Sequence, residues 1–178
     1  MTNKLSSVSM NGRMAYTIMC VESFLVNQHP DRDWSVVAKA MWASTSTNWG
    51  DWPEIFSAYI PSVMFEYNGY NEDLAESYSE ETYNQLLLLY DDITDGNEDD
   101  PSDEVNYMIN LPYEMAMVYE GTTIGDGTES FEIIQNAENI LKKHAIPLPD
   151  YHKVLFSSIQ ELNGWGNDFD GRKLSVIL

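Results

Sequence analysis

The chain is 178 residues long and carries 29 acidic and nine basic residues, so its formal net charge is −20. This charge disfavours DNA, RNA and anionic lipid as partners. The composition is 43% hydrophobic, which excludes a globally disordered chain, and the single cysteine, Cys20, excludes an intramolecular disulfide. The length fits one domain, which we predict to span residues 1–178.

The N-terminal region predicts neither export nor membrane insertion. Residues 1–11 are mostly polar and lack the apolar core of a signal peptide, so we expect a flexible N-terminus. The sequence has no run of about 18 apolar residues, the length that a transmembrane helix needs. We therefore expect a cytoplasmic protein.

Helical patterns dominate the first third of the chain. Apolar residues recur with helical spacing over residues 12–28 and 34–44, which predicts two helices. Asp51 and Pro53 favour the start of a third helix, because an acceptor at the cap and proline in the first turn are typical there. Pro61 should kink or break this helix, since proline cannot donate a backbone hydrogen bond.

Three further helices are predicted in the middle of the chain. Ser79 precedes a helix whose apolar run at 86–89 predicts a central position in the fold. Asp100 is expected to cap the next helix, which Pro112 should kink. A strongly amphipathic helix then begins near residues 128–130.

The C-terminal part predicts one more helix and an extended end. Apolar residues at 154, 155, 156 and 159 indicate a final helix, and residues 174–178 a short extended segment. We therefore predict an all-α fold, a single-domain irregular bundle of about six to seven helices with a short extended C-terminal segment.

The distribution of charge is more informative than its sum. Residues 40–141 contain 22 of the 29 acidic residues and no Lys or Arg. These acids cannot pair with nearby bases, and we interpret them as a surface for a basic partner protein, whose association they would speed at low salt. The alternative is that the acidity serves solubility alone.

The acidic loop at residues 91–104 does not fit a calcium-binding loop. With Gly96 at position 6 of an EF-hand loop, Ile93 and Ser102 would occupy positions 3 and 12, where the site needs an oxygen ligand and a Glu. The histidines lack metal-ligand spacing, and no phosphate loop or nucleophile motif occurs. We predict no catalytic residue, no metal site and no cofactor.

Aromatic residues lie close to the acidic stretch. Trp49, Trp52 and Tyr70 could provide an apolar anchor, because interfaces favour tryptophan and tyrosine. The alternative is that these rings fill the core. The predicted partner-binding residues are Asp91, Asp92, Asp95, Asp99, Asp100, Asp103, Glu104, Trp49, Trp52, Tyr70, Glu72, Asp73 and Glu76.

Some short segments suggest a family resemblance. They are Arg-Met-Ala-Tyr at 13–16, Trp-Gly-Asp-Trp at 49–52, Gly-Trp-Gly at 164–166 and Phe-Asp-Gly-Arg at 169–172. In these segments, and in its small, acidic and helical character, the chain resembles the mostly helical immunity proteins of bacterial polymorphic toxin systems. The resemblance implies a protein that binds one cognate toxin domain and occludes its active site. Many such toxins are nucleases with basic clefts.

Two other functions remain compatible with the sequence. One is a nucleic-acid mimic that blocks a DNA-handling enzyme, which needs carboxylates spaced along an elongated face. The other is an enzyme with an unrecognised carboxylate site. Such an enzyme needs a deep pocket with convergent acids and a raised carboxyl pKa.

Overall fold

The computed structural model describes residues 4–46, 50–67, 69–97, 100, 102–119, 124 and 127–178. Within these residues the chain forms eight α-helices and no strand, which confirms the predicted all-α fold. The helices are α1 (Met10–Gln28), α2 (Ser35–Trp42), α3 (Trp52–Ser57), α4 (Pro61–Glu66), α5 (Glu72–Ala75), α6 (Glu80–Tyr90), α7 (Glu104–Tyr119) and α8 (Glu129–Lys143). None of the helices in this part of the chain is both long enough and apolar enough to cross a membrane.

Helix α1 forms the centre of the bundle. It packs against α7 and α8, which also pack against each other, and α2 lies beside it. Most of α1 from Met10 to Leu25 is buried, including the charged side chains of Arg13 and Glu22. Ser9 begins the helix, since its hydroxyl accepts a hydrogen bond from the backbone N–H of Gly12 at 3.2 Å. Charges buried in this way need hydrogen-bond partners from the surrounding chain.

The proline and serine signals for helix starts are confirmed, whereas the side chain of Asp51 makes no capping hydrogen bond at the start of α3. Pro53 lies in the first turn of α3, and Pro61 begins α4, so the predicted break at Pro61 is real. Ser79 caps α6 by accepting a hydrogen bond from the backbone N–H of Thr82 at 3.2 Å. Helix α7 continues through Pro112.

The prediction that α6 is central is wrong. Leu86 and Leu89 face the core, whereas Leu88 is 74% exposed. Residues three or four positions apart share one face of a helix, and Leu88 falls on the opposite face from this pair. Helix α6 therefore covers the core from outside.

The N-terminal residues are more ordered than the expected flexible segment. Leu5 and Val8 are fully buried, and Val8 forms an antiparallel bridge with Ser158. The backbone N–H of Ile159 also donates to the carbonyl of Ser7 at 2.9 Å. These contacts to the distant C-terminal region hold the segment in place. The prediction of a flexible N-terminus over residues 1–11 is therefore wrong from Leu5 onward.

The predicted last helix is absent. Three short 3₁₀ turns, Tyr151–Val154, Leu162–Gly164 and Gly171–Leu174, lie in this region. Leu155 and Phe156 are exposed, so the apolar residues at 154–159 do not share a buried face. The chain instead crosses the bundle and bonds to residues of α1. The extended segment expected over residues 174–178 is found only in part, because Leu174 belongs to the last 3₁₀ turn while Ser175 has an extended backbone.

Candidate protein-binding surface

The chain carries its acidic surface on the segment from Asp51 to Asp95, here called the acidic segment. It includes α3, α4, α5 and α6 and contains no Lys or Arg. All eleven of its acidic residues are exposed. They are Asp51, Glu54, Glu66, Glu72, Asp73, Glu76, Glu80, Glu81, Asp91, Asp92 and Asp95.

Tyrosine side chains hold the acidic segment together from within. The hydroxyl of Tyr78 donates to the carbonyl of Ala58 at 2.9 Å, and that of Tyr90 donates to the carbonyl of Tyr59 at 2.5 Å. The Tyr70 hydroxyl donates to the Tyr78 carbonyl at 3.0 Å. Burial raises the pKa of both Tyr78 and Tyr90, so these hydroxyls stay protonated donors. Tyr70, a predicted apolar anchor, thus contributes to this internal support.

Six of the predicted partner-binding acids lie on the surface of this segment. Glu72, Asp73 and Glu76 are exposed on and just after the short helix α5. Asp91, Asp92 and Asp95 are exposed beyond the end of α6. Asp92 forms an ion pair with Arg32, and Asp95 accepts a hydrogen bond from the backbone N–H of Asn97 at 3.0 Å.

Asp103 has an internal role in place of the partner-facing one expected from the sequence. It is buried, and its carboxylate accepts hydrogen bonds from the Thr94 hydroxyl and from the backbone N–H of Asn106. Asp103 therefore caps α7, a role that the sequence predicted for Asp100. Asp100 bonds instead to the backbone and hydroxyl of Ser102, which lowers its pKa.

Glu104 also makes its contacts within the fold. Its carboxylate accepts a hydrogen bond from Lys143 at 2.7 Å and lies 2.5 Å from His144 Nε2, which joins the start of α7 to the end of α8. Burial acts to raise the pKa of Glu104, but the hydrogen bonds from Lys143 and His144 outweigh it, so the pKa is lowered. This carboxylate is neutralised within the molecule.

The predicted tryptophan anchor is only partly described. Trp52 is 2% exposed; its indole Nε1 donates to the carbonyl of Ala40 at 2.8 Å, and its ring stacks on Phe56 at 4.7 Å. The alternative that these rings fill the core therefore applies to Trp52. Trp49 and Asp99 lie outside the described residues.

A groove that the sequence did not reveal lies between α2, α3 and α6. Its volume is about 920 Å³. Its apolar lining includes Trp52, Ile55, Phe56, Tyr59, Leu88 and Leu89. Ile55 and Leu88 are 45% and 74% exposed, so apolar surface stays accessible on two of the helices that line the groove.

Charged residues line the α2 side of this groove. Asp31, Arg32, Asp33 and Lys39 all contribute to it. Arg32 bonds to Asp92 and to the carbonyls at the end of α6, so it is held in place. A hydrogen bond from the backbone of Ser35 lowers the pKa of Asp33. A catalytic acid would need a raised carboxyl pKa, whereas the pKa of Asp33 is lowered.

No cluster of three or more His, Cys, Asp or Glu side chains in the described part of the chain is placed to hold a metal ion. Cys20 is buried, and burial raises the pKa of its thiol, so the reactive thiolate is not formed at neutral pH.

The chain matches no protein-family model, no curated protein and no solved structure. Its function is therefore inferred from its own residues and their arrangement.

Proposed function

We propose that this protein is an inhibitor that binds a basic partner protein, in the way that an immunity protein neutralises a cognate toxin domain by occluding its active site. The observation that carries this proposal is the exposure of all eleven acidic residues between Asp51 and Asp95, on a segment without a single base. Such a field attracts a positively charged protein and repels nucleic acid.

The ion pairs within the molecule neutralise little of the negative charge on the acidic segment. Lys142 pairs with Glu138 and Lys143 with Glu104, and neither carboxylate belongs to the acidic segment. Arg32 pairs with Asp92 at one end of it, and the segment itself supplies no base for its other acids. Exposed carboxylates close to one another repel, and a basic partner relieves this repulsion.

An acidic surface that is held rigid before binding favours the tight binding that an inhibitor needs. The tyrosine hydrogen bonds from Tyr78, Tyr90 and Tyr70 fix the backbone that carries the acids before a partner arrives. A surface that is already ordered loses less conformational entropy on binding, and this raises affinity. Tight and fast binding is what occlusion of a toxin active site requires.

The first test is a pull-down from lysate of the native host, with the tagged protein as bait at low and at high salt. We expect retention of one basic protein at low salt, and partial retention at high salt, because electrostatic attraction is screened while buried contacts persist. Expression of the retained protein alone should slow bacterial growth, and co-expression with this chain should restore it.

The proposal would be contradicted by two results. One is that no basic protein is retained from a lysate shown to contain the proteins encoded by the genes next to that of this chain. The other is a retained protein whose effect on growth is the same with and without this chain.

A further inference from the structure

The sequence before Ser175 distinguishes it from the other hydroxyl residues of the chain. It follows Arg172, Lys173 and Leu174, and no other Ser or Thr has two adjacent bases within the three positions before it. Both bases are exposed, and Arg172 also pairs with Asp170. Many Ser/Thr kinases use acidic side chains to select substrates with bases two and three positions before the modified serine. The segment 172–175 has this charge pattern.

The hydroxyl of Ser175 helps to hold the C-terminal tail, residues 171–178, on the bundle. It donates to Glu22 Oε1 at 2.6 Å, and the backbone N–H of Val176 donates to Glu22 Oε2 at 2.8 Å. The same hydroxyl accepts hydrogen bonds from the two backbone N–H groups that follow Val176, both at 3.0 Å. Its oxygen therefore serves both the attachment of the tail to α1 and the turn within the tail.

Few buried contacts keep the tail on the bundle. Of residues 171–178, all of which the structure describes, only Gly171 is buried. Its backbone N–H donates to the Thr45 hydroxyl at 3.1 Å, and the bonds to Glu22 form a second attachment. A segment with few buried apolar contacts opens at a lower free energy than the whole domain. Such an opening presents Ser175 and the bases before it to a kinase.

We propose that Ser175 is a phosphorylation site and that its modification releases the C-terminal tail from Glu22. In the reaction, Ser175 Oγ attacks the γ-phosphorus of ATP. A bond forms between Oγ and phosphorus, the bond from phosphorus to the oxygen of ADP breaks, and the hydroxyl proton passes to a base of the kinase. The phosphoserine has lost the hydroxyl that donates to Glu22 and carries a charge of about −1.5 to −2 at neutral pH. It repels the Glu22 carboxylate, so the tail stays detached.

Incubation of the full chain with MgATP and a Ser/Thr kinase of this selectivity tests the site. Mass spectrometry of proteolytic fragments should place a phosphoryl group on Ser175. The double variant Arg172→Gln and Lys173→Gln should slow its incorporation at least about ten-fold, because the kinase loses the charges that it selects. The control, Lys4→Gln and Lys153→Gln, removes the same charge at exposed positions and should leave the rate within about two-fold.

A second pair of variants tests whether the tail must open before the kinase acts. Glu22→Gln removes the carboxylate that anchors the tail, so we expect phosphorylation of Ser175 to be at least about three-fold faster. Glu66→Gln, at an exposed position on α4, should not change the rate. Equal rates for these two variants would overturn opening of the tail as the step that admits the kinase.

Amide hydrogen exchange of the purified phosphoprotein tests the release of the tail. We expect exchange at Val176 to be at least about ten-fold faster than in the unmodified protein, and exchange at Ile18, which is buried in α1, to be unchanged. Unchanged exchange at Val176 would overturn the release, and absence of a phosphoryl group on Ser175 would overturn the site. The pull-down reports separately on the proposed binding of a basic protein.

Discussion

Replacement of Arg13 by alanine is expected to lower the free energy of unfolding by about 3–5 kcal/mol, since buried hydrogen-bond acceptors would lose their donor and a cavity would form. The Arg13 side chain is fully buried. Its guanidinium donates to the carbonyls of Leu5 and Ser6, to the carbonyl of Gly127 at 2.7 Å and to the hydroxyl of Ser130 at 3.0 Å. It therefore joins the N-terminal segment to the start of α8.

Urea unfolding measures this loss, with Arg172→Ala as the control. Arg172 is exposed and bonds to the exposed Asp170, so its replacement should cost within about 0.5 kcal/mol. A lysine at position 13 should rescue stability only partly, because one ammonium cannot reproduce the planar set of donors. Equal losses for Arg13→Ala and Arg172→Ala would show that this network does not hold the fold.

Replacement of Glu22 by alanine is expected to lower the free energy of unfolding by about 2–4 kcal/mol and to release the C-terminal tail. Glu22 is fully buried on α1. Its carboxylate accepts hydrogen bonds from Trp42 Nε1 at 2.7 Å, from the Ser175 hydroxyl at 2.6 Å and from the Val176 backbone N–H at 2.8 Å. Without the carboxylate, the buried indole N–H loses its acceptor and the tail loses its attachment.

Two measurements separate the parts of this prediction. Urea unfolding gives the loss of stability, and amide hydrogen exchange at Val176 should speed up in the variant under native conditions. Glu66→Ala is the control, because Glu66 is exposed on α4. Unchanged exchange at Val176 would contradict the role of Glu22 in holding the tail, even if stability fell.

Local sequence patterns predicted the helices but not the long-range contacts. Ser79, Pro53 and Pro61 act on the few residues next to them, so their effects could be inferred from the sequence. The tail is different, since Val176 bonds to Glu22 across more than 150 residues of chain. Residues 157–159 likewise pair with the backbone of residues 7–9, so this stretch is held without the helix that its apolar pattern suggested.

The candidate surface shows the same difference between local patterns and long-range contacts. The exposed acids of the acidic segment follow from the lack of bases there, so Glu72, Asp73 and Glu76 could be placed from sequence. The internal roles of Asp103 and Glu104 depend on Thr94 and on the end of α8, which no local pattern brings together. The groove depends on α2, α3 and α6 lying around one space, which no local pattern shows. The only local sign of it was that the run at 86–89 holds more leucines than one buried helix face needs.

We propose that the acidic segment, and not acidity in general, attracts the partner. The most direct test compares association rates of two variants with the partner retained in the pull-down. One variant carries Asp73→Asn and Glu76→Gln within the acidic segment, and the other carries Asp168→Asn and Glu132→Gln at exposed positions outside it. Both lose the same charge. We predict that the first variant associates about three-fold more slowly at low salt, with a weaker salt dependence, while the second associates as the unchanged protein does. Equal rates for the two variants would contradict the claim.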